Sequence, residues 1–401
     1  MIQDIPPDFK VPGFLAAGIP AGIKKNREKD LALIYSEVPS LAAGVFTTNR
    51  VKAAPVLLSM ERIKSGRARA ILINSGSANA CTGKRGLADG RRLSRLIASS
   101  LKVNPADVLL ASTGVIGKLL PMSLIEEKIP RLISSLTPEG LGDAAQAIVT
   151  TDTFPKAALL RRWVNGKEIT LAGIAKGAGM ISPHMATLLS FVITDASISP
   201  RALRQSLRAG VQESFNQVTV DGDMSTNDTL LMLANGEAKN REIIPGTTGH
   251  KKFSLFLHEL LFALAQKIVR DGEGATKLVA IVVEKARTLS EAERVARAVA
   301  TSALVKTAFF GEDANWGRIL CAAGYSGASV DPNRMDVYFD DVAVVRRGEG
   351  TGAAAEEPAT AVMKKREYTV RIILNQGKKK TSIFTTDFSF DYVKINASYR
   401  S

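Results

Sequence analysis

Short apolar runs rich in β-branched residues recur along this chain, with amphipathic helical patterns between them, and no other feature restricts its possible folds as strongly. The runs include LALIYSEV at 31–38, RAILINSG at 69–76, ATLLSFVITDA at 186–196, KLVAIVVE at 277–284 and YTVRIILN at 368–375. Runs of this length and composition make buried strands, and helices between them must cover the sheets they form. The pattern therefore predicts an α/β (α+β) protein, a layered sandwich of helices around mixed sheets. After Thr82, Leu93, Leu96, Ile97 and Leu101 line one helical stripe and Arg91, Arg92 and Arg95 another, so the helix should pack on a sheet with its basic face in water. Ser199-Pro200 carries the cap and first-turn signals of a helix with Leu203, Leu207, Val211 and Phe215 at four-residue steps. A further helix is expected over about 253–270, with Phe256, Leu260, Leu264 and Ile268 inward. Ser290 with Glu293 reads as a capping box for a helix through Val305, and residues 346–358 as an exposed loop. At 401 residues with 32 glycines, two domains or one large interlocked unit are expected, with many tight turns.

Charge narrows the partner classes. A net charge of +14 raises nucleic acid as a partner, but the basic residues are dispersed and aromatics make up only 6% of the chain. A solvated basic surface is the favoured reading, with no nucleic-acid partner. Cys81 and Cys321 are too few and too far apart for a disulfide framework or a zinc site, so a reducing compartment is expected and no metal. The N-terminal segment lacks a basic stretch followed by an apolar core, and no apolar run approaches the roughly 18 residues a membrane span needs. A cytoplasmic protein without a membrane partner is the expectation.

Familiar catalytic patterns are missing from the sequence. Only His184, His250 and His258 are present, and neither a Gly-x-Ser-x-Gly elbow nor a His-Glu-x-x-His pair occurs. Gly348-Glu349-Gly350-Thr351-Gly352-Ala353 matches a dinucleotide fingerprint in letters only, since it lies in a polar loop and does not open a helix after a strand. Asp221-Gly222-Asp223-Met224-Ser225 begins like a calcium loop, yet Thr226 stands where the turn needs glycine, which leaves a turn followed by capping hydroxyls. Two clusters stand out. Lys176-Gly177-Ala178-Gly179-Met180-Ile181-Ser182-Pro183-His184-Met185-Ala186-Thr187 runs from a glycine-rich turn directly into an apolar strand. Ala111-Ser112-Thr113-Gly114-Val115-Ile116-Gly117 follows the strand DVLLA and can present a hydroxyl beside a backbone NH, the elements of an oxyanion hole. Each cluster taken alone also fits an ordinary turn beside a strand.

Both segments, in this order, resemble the ArgJ family, the glutamate N-acetyltransferases or ornithine acetyltransferases. Further matching blocks are AGVFTTNRVKAAPV from Ala43, NSGSANACTG from Asn74, TTDTFPK from Thr150, VDGDMSTNDT from Val220, GEDANWGRIL from Gly311 and YVKINASYRS from Tyr392. The resemblance covers essentially the whole chain. It departs from the family's usual pattern at Ala178 and His184, where serine and asparagine are more usual.

The resemblance implies self-cleavage between Ala186 and Thr187, giving chains 1–186 and 187–401 that intertwine and pair as α2β2. Thr187 would then be an N-terminal nucleophile, and its own α-amine, with a reference pKa of about 7.7–8.0, would serve as base in place of a histidine. It further implies acetyl transfer from N2-acetyl-L-ornithine to L-glutamate through an acetyl-Thr187 ester, in two half-reactions without a cofactor. Thr113 and Gly114 match the family's oxyanion hole. Thr153, Lys176, Thr187, Glu273, Asn396 and Ser401 match its substrate-binding positions, where charge suits Lys176 to a substrate carboxylate and Glu273 to an ammonium. Whether acetyl-CoA is a second donor is left open. Two rival readings are a self-processing aminopeptidase or amidase that passes its acyl group to water, and a basic nucleic-acid-binding protein that needs no processing.

Overall fold

The computed structural model describes residues 6, 9–25, 27–182 and 188–398, and its strands fall into two sheets. The first holds β1 (Phe14–Ile19), β2 (Leu31–Phe46), β3 (Arg67–Ser77), β4 (Val108–Val115), β5 (Lys156–Val164), β6 (Lys167–Lys176), β7 (Leu189–Thr194) and β8 (Thr229–Ala234), in the order β4-β3-β2-β8-β7-β6-β5 with β1 on β2. The second holds β9 (Leu278–Ala286), β10 (Asp336–Phe339), β11 (Val342–Arg346), β12 (Glu349–Gly350), β13 (Glu367–Ile373) and β14 (Lys379–Thr386), in the order β12-β11-β10-β13-β9-β14. Both are mixed: β3–β4, β7–β8 and β9–β13 are parallel pairs and the others antiparallel. Each apolar run read from the sequence contributes to one of these strands. Every residue of β7 and β8 is buried, as expected for central strands covered on both faces.

The helices are α1 (Ala54–Arg62), α2 (Gly83–Leu101), α3 (Met122–Ser134), α4 (Leu141–Ala147), α5 (Pro200–Gln212), α6 (Thr248–Arg270), α7 (Leu289–Ala300), α8 (Ala303–Phe310), α9 (Trp316–Gly324), α10 (Glu356–Met363) and α11 (Phe390–Ser398). Leu203, Leu207, Leu257, Leu260 and Leu264 of α5 and α6 pack on Leu171, Val192, Leu230 and Met232 of the first sheet. Leu93 and Ile97 of α2, with Ile125 and Ile129 of α3, cover Leu31, Leu72 and Leu110. Over the second sheet, Val295, Val299, Phe309 and Ile319 of α7 to α9 meet Val279, Ile281, Val370 and Ile372. The helix expected over 253–270 begins earlier, because the Thr247 hydroxyl caps it through the His250 amide at 3.2 Å, and Phe253 and Leu257 take the innermost positions ahead of Phe256.

Two expectations require correction. The cap of α7 is Thr288, whose hydroxyl accepts from the Glu291 amide at 3.1 Å, and the helix ends at Ala300; Ser302 caps the separate helix α8. Thr288-x-x-Glu291 and Ser290-x-x-Glu293 have the same spacing, but only Thr288 retains the extended backbone (φ −127°, ψ 156°) of a cap as the chain leaves β9. The stretch 346–358 is also more ordered than a plain loop, since Glu349 and Gly350 pair with β11 and α10 opens at Glu356.

The two sheets meet where Val218 bridges Phe384 of β14 and α6 ends at Arg270. This junction carries the loops 218–229 and 271–274, and the C-terminal helix α11 lies against them. No helix among the described residues is long and apolar enough to cross a membrane.

Candidate active site

Thr113 and Gly114 reach the junction because β3 and β4 run parallel and end together. Gly114 has φ +124°, and a Cβ there would stand 2.5 Å from the Gly76 carbonyl carbon and 2.7 Å from the Ser77 amide nitrogen, so only glycine lets the two backbones approach. Side chains knit the strand ends together. Ser112 donates to Asn74 Oδ1 at 2.6 Å, Asn74 Nδ2 to the Ser77 carbonyl at 2.8 Å, and Asn227 Nδ2 to the Ala78 and Ser112 carbonyls at 2.7 and 2.8 Å. Gly114→Ala is expected to destabilise the fold by about 2–4 kcal/mol, the sum of a left-handed backbone strain and a backbone clash that cannot relax by a side-chain rotation. Denaturant unfolding of the variant checks this, and an unchanged midpoint would show that the strand ends separate easily.

Lys176, the last residue of β6, is buried and directed at the same point. Its Nζ donates to Thr150 Oγ1 at 2.7 Å and to Thr113 Oγ1 at 3.2 Å, and lies 3.9 Å from Asp152 Oδ2. A threonine hydroxyl that accepts from an ammonium still has its own proton to donate elsewhere. Asp152 also accepts from the Gly177 amide at 2.7 Å and from Lys156 Nζ at 2.5 Å, and Lys156 in turn reaches Asp271 at 2.5 Å. Burial pushes the Asp152 carboxyl up, but the Lys176 and Lys156 ammonium groups and the Lys156 and Gly177 hydrogen bonds outweigh it and hold the carboxyl at about 2. Burial pushes the Lys176 ammonium below its ordinary value, against the attraction of Asp152.

The glycine-rich turn after β6 forms the opposite wall. Gly177 (φ +152°) and Met180 (φ +57°) adopt positive φ, and a Cβ on Gly179 would stand 2.3 Å from Glu273 Oε2. Glu273 is buried there, its amide donating to the Ala178 carbonyl at 2.9 Å and its Oε2 accepting from Asn396 Nδ2 of α11 at 2.9 Å. Thr113, Gly114, Thr150, Lys176, Gly179, Met180, Asn227, Glu273 and Asn396 thus line one cavity.

The structure brings together Thr113, Gly114, Lys176, Glu273 and Asn396 of the residues chosen from the sequence. Thr153 stands apart: its amide donates to Asp271 Oδ2 at 3.0 Å and its hydroxyl also bonds Asp271, on a neighbouring cleft with Arg270 and Lys394. Ala186, Thr187 and Ser401, together with His184, lie outside the described residues. On either side of Thr187, the Ile181 carbonyl accepts from the Val220 amide at 2.9 Å and the Leu188 carbonyl from the Thr229 amide at 3.0 Å. Sequence reasoning passed over Thr150, Asp152 and Asn227, and read Asp221 only as part of a turn. All four lie in the quoted blocks TTDTFPK and VDGDMSTNDT, where a carboxylate or amide among small hydroxyl residues was the available signal.

Comparison with known proteins identifies the family. Residues 15–401 match the model of the ArgJ family. The arginine biosynthesis bifunctional protein ArgJ of Geobacter sulfurreducens is 51% identical over 393 residues, covering 98% of this chain and 100% of that protein. The protein of the same name from Thermotoga neapolitana is 46% identical, covering 97% of this chain and 99% of its own. The crystal structure of the arginine biosynthesis bifunctional protein ArgJ of Bacillus halodurans superposes with a TM-score of 0.51 at 42% identity, covering 53% of this chain and 100% of that one. With near-complete coverage at about half identity and the segments that line the cavity inside the matched range, this chain belongs to the ArgJ family.

Proposed function

We propose that the chain cleaves itself between Ala186 and Thr187 and then transfers acetyl from N2-acetyl-L-ornithine to L-glutamate in arginine biosynthesis. The observation that carries this reading is the convergence of Thr113, Gly114, Lys176, Glu273 and Asn396, from five separate segments, on one cavity in an ArgJ-family chain. In the first step the Thr187 hydroxyl attacks the Ala186 carbonyl and the amide C–N bond breaks, which frees the Thr187 α-amine and leaves an ester; water then hydrolyses that ester, releasing the Ala186 carboxylate and restoring the hydroxyl. That amine, as base, takes the hydroxyl proton when Thr187 attacks the acetyl carbonyl of acetylornithine. The Thr113 hydroxyl and the Gly114 NH stabilise the oxyanion, and the leaving ornithine amine takes the proton back. Glutamate then attacks the acetyl-Thr187 ester by the same steps in reverse. Lys176 offers its positive charge to a substrate carboxylate and Glu273 its negative charge to a substrate ammonium.

The Bacillus halodurans chain supports the processing step, since all of it aligns with just over half of this chain, as residues 187–401 are. The bifunctional names of the relatives support acetyl-CoA as a second acetyl donor to glutamate. An α2β2 assembly in the cytoplasm follows from the same reading.

Intact-mass analysis of the purified protein should give two fragments, the smaller a little under half of the 42.9 kDa chain. Incubation with acetylornithine should yield acetylglutamate only when glutamate is present, and acetyl-CoA should replace acetylornithine as donor. Release of acetate at the same rate with and without glutamate would establish the hydrolase reading instead, and an active full-length chain would defeat the processing step.

A further inference from the structure

Asp221 sits behind the glycine-rich turn, outside the cavity, and touches two of its walls. Its carboxylate accepts from the Met180 amide at 2.6 Å, from the Ile181 amide at 2.9 Å and, within its own loop, from the Asp223 amide at 3.2 Å. The Tyr392 hydroxyl of α11 donates to its Oδ2 at 3.4 Å. One wall is therefore the turn whose Gly179 abuts Glu273, and the other is the helix whose Asn396 donates to Glu273. The turn needs such a partner. Met180 is held at φ +57°, a conformation that costs a residue with a side chain, and two consecutive amides there point away from any strand ladder.

We propose that Asp221, in its ionised form, is a positioning residue for acetyl transfer, which pins the 177–181 turn and α11 together so that Glu273 is set against the cavity. The inference rests on the acetyl-transfer reading of this cavity. A carboxylate can accept from both turn amides and from the phenol at once. Once protonated, or replaced by asparagine, the side chain presents a donor where four donors already converge, and one of the contacts is lost.

Burial raises the Asp221 carboxyl to about 6, outweighing the hydrogen bonds from the Met180, Asp223 and Ile181 amides, and the neighbouring Asp223 adds to the rise. The other groups facing it are Tyr392 on α11 and Lys306 on α8, with Glu273 beyond Tyr392. Lys306, lowered to about 7 by burial, donates to the hydroxyls of Thr385 and Thr386 at 3.1 and 3.0 Å. The sign is then determined. Transfer falls as pH drops through about 6, in addition to any limb from the Thr187 amine near 7.7–8.0. A carboxyl raised in the fold binds its proton more tightly folded than unfolded, so its titration between about 6 and 3.8 stabilises the protein. Loss of transfer in that window is therefore not unfolding caused by Asp221.

The test measures kcat/KM for acetylornithine from pH 5 to 9 for wild type, Asp221→Asn and Tyr392→Phe, with cleavage state read by intact mass and folding by thermal melts. Wild type should show an extra steepening below about pH 6. Asp221→Asn should lose that steepening and lie at least tenfold below wild type at pH 8. Tyr392→Phe, which removes one donor to the carboxylate and with it the tie to α11, should lower the rate and move the steepening to higher pH. If wild type transfers acetyl but Asp221→Asn keeps its rate and its acidic limb, the inference is overturned; if Asp221→Asn does not fold, an unmoved limb in Tyr392→Phe overturns it. Absence of transfer in wild type would instead reject the reading of the cavity.

Discussion

Thr187→Ala is expected to leave the chain at full length and to lower acetyl transfer by roughly 10⁴-fold or more, the scale seen when the nucleophile of a covalent mechanism is removed. In the proposed mechanism one hydroxyl serves both events, attacking the Ala186 carbonyl during processing and the acetyl group during turnover. Both losses should therefore appear together. Thr187→Ser, which keeps a hydroxyl, should retain part of each. Intact mass reports the first event and acetylglutamate formation the second. Cleaved, active Thr187→Ala would mean that another residue is the nucleophile. The flanking anchors make folding of the variant expected, since Ile181 and Leu188 hold to Val220 and Thr229 through backbone groups that the substitution does not touch.

Thr113→Ala should lower kcat by about 10²–10³ with little change in KM, because an oxyanion donor acts where charge develops in the transition state. The structure refines what Lys176 does to the same step. Charge alone suggested a contact with a substrate carboxylate, which would mainly raise KM when lost. Lys176 also donates to Thr113 Oγ1 at 3.2 Å, and so holds the oxygen whose proton the proposed oxyanion hole would use. Lys176→Met is therefore expected to raise KM and to lower kcat as well, by a smaller factor than Thr113→Ala. A double-mutant cycle separates the two roles. In a Thr113→Ala background, Lys176→Met should keep its effect on KM and lose most of its effect on kcat, since the hydroxyl it orients is already gone. Additive effects on kcat would show that Lys176 does not act through Thr113, and an unchanged kcat in Thr113→Ala would make the Thr113-Gly114 pair a structural turn.

The network behind these residues explains why the site is more than its cavity-facing groups. Lys176 and Lys156 share Asp152, and Lys156 links it to Asp271, whose carboxylate also holds Thr153. Thr153 was chosen from the sequence as a substrate contact, yet its bonds in the fold are to Asp271, two residues from Glu273. A route from Thr153 to the cavity thus runs through the backbone of Asp271-Gly272-Glu273. These groups are buried, so their charges act on one another with little screening.

The sequence by itself determined the central strands it named, a few of the helices and the family. Those features depend on neighbours along the chain: the period of apolar residues, a hydroxyl before a first turn, or an unbroken motif such as NSGSANACTG. Local pattern was not enough at α7, where Thr288 and Ser290 carry the same capping spacing and the end of β9 selects between them. At the site, only the tertiary structure decided which polar residues meet. Asp221 lies 41 positions from Met180 and 171 from Tyr392, and Asn227 lies 115 positions from Ser112. Nothing in the spacing of a chain specifies such pairs, because they form only when the strand ends, the 218–229 loop and α11 are packed together at the junction of the two sheets. A buried carboxylate or amide must find its hydrogen-bond partners wherever packing places them, and that physical demand acts in the folded protein rather than along the sequence.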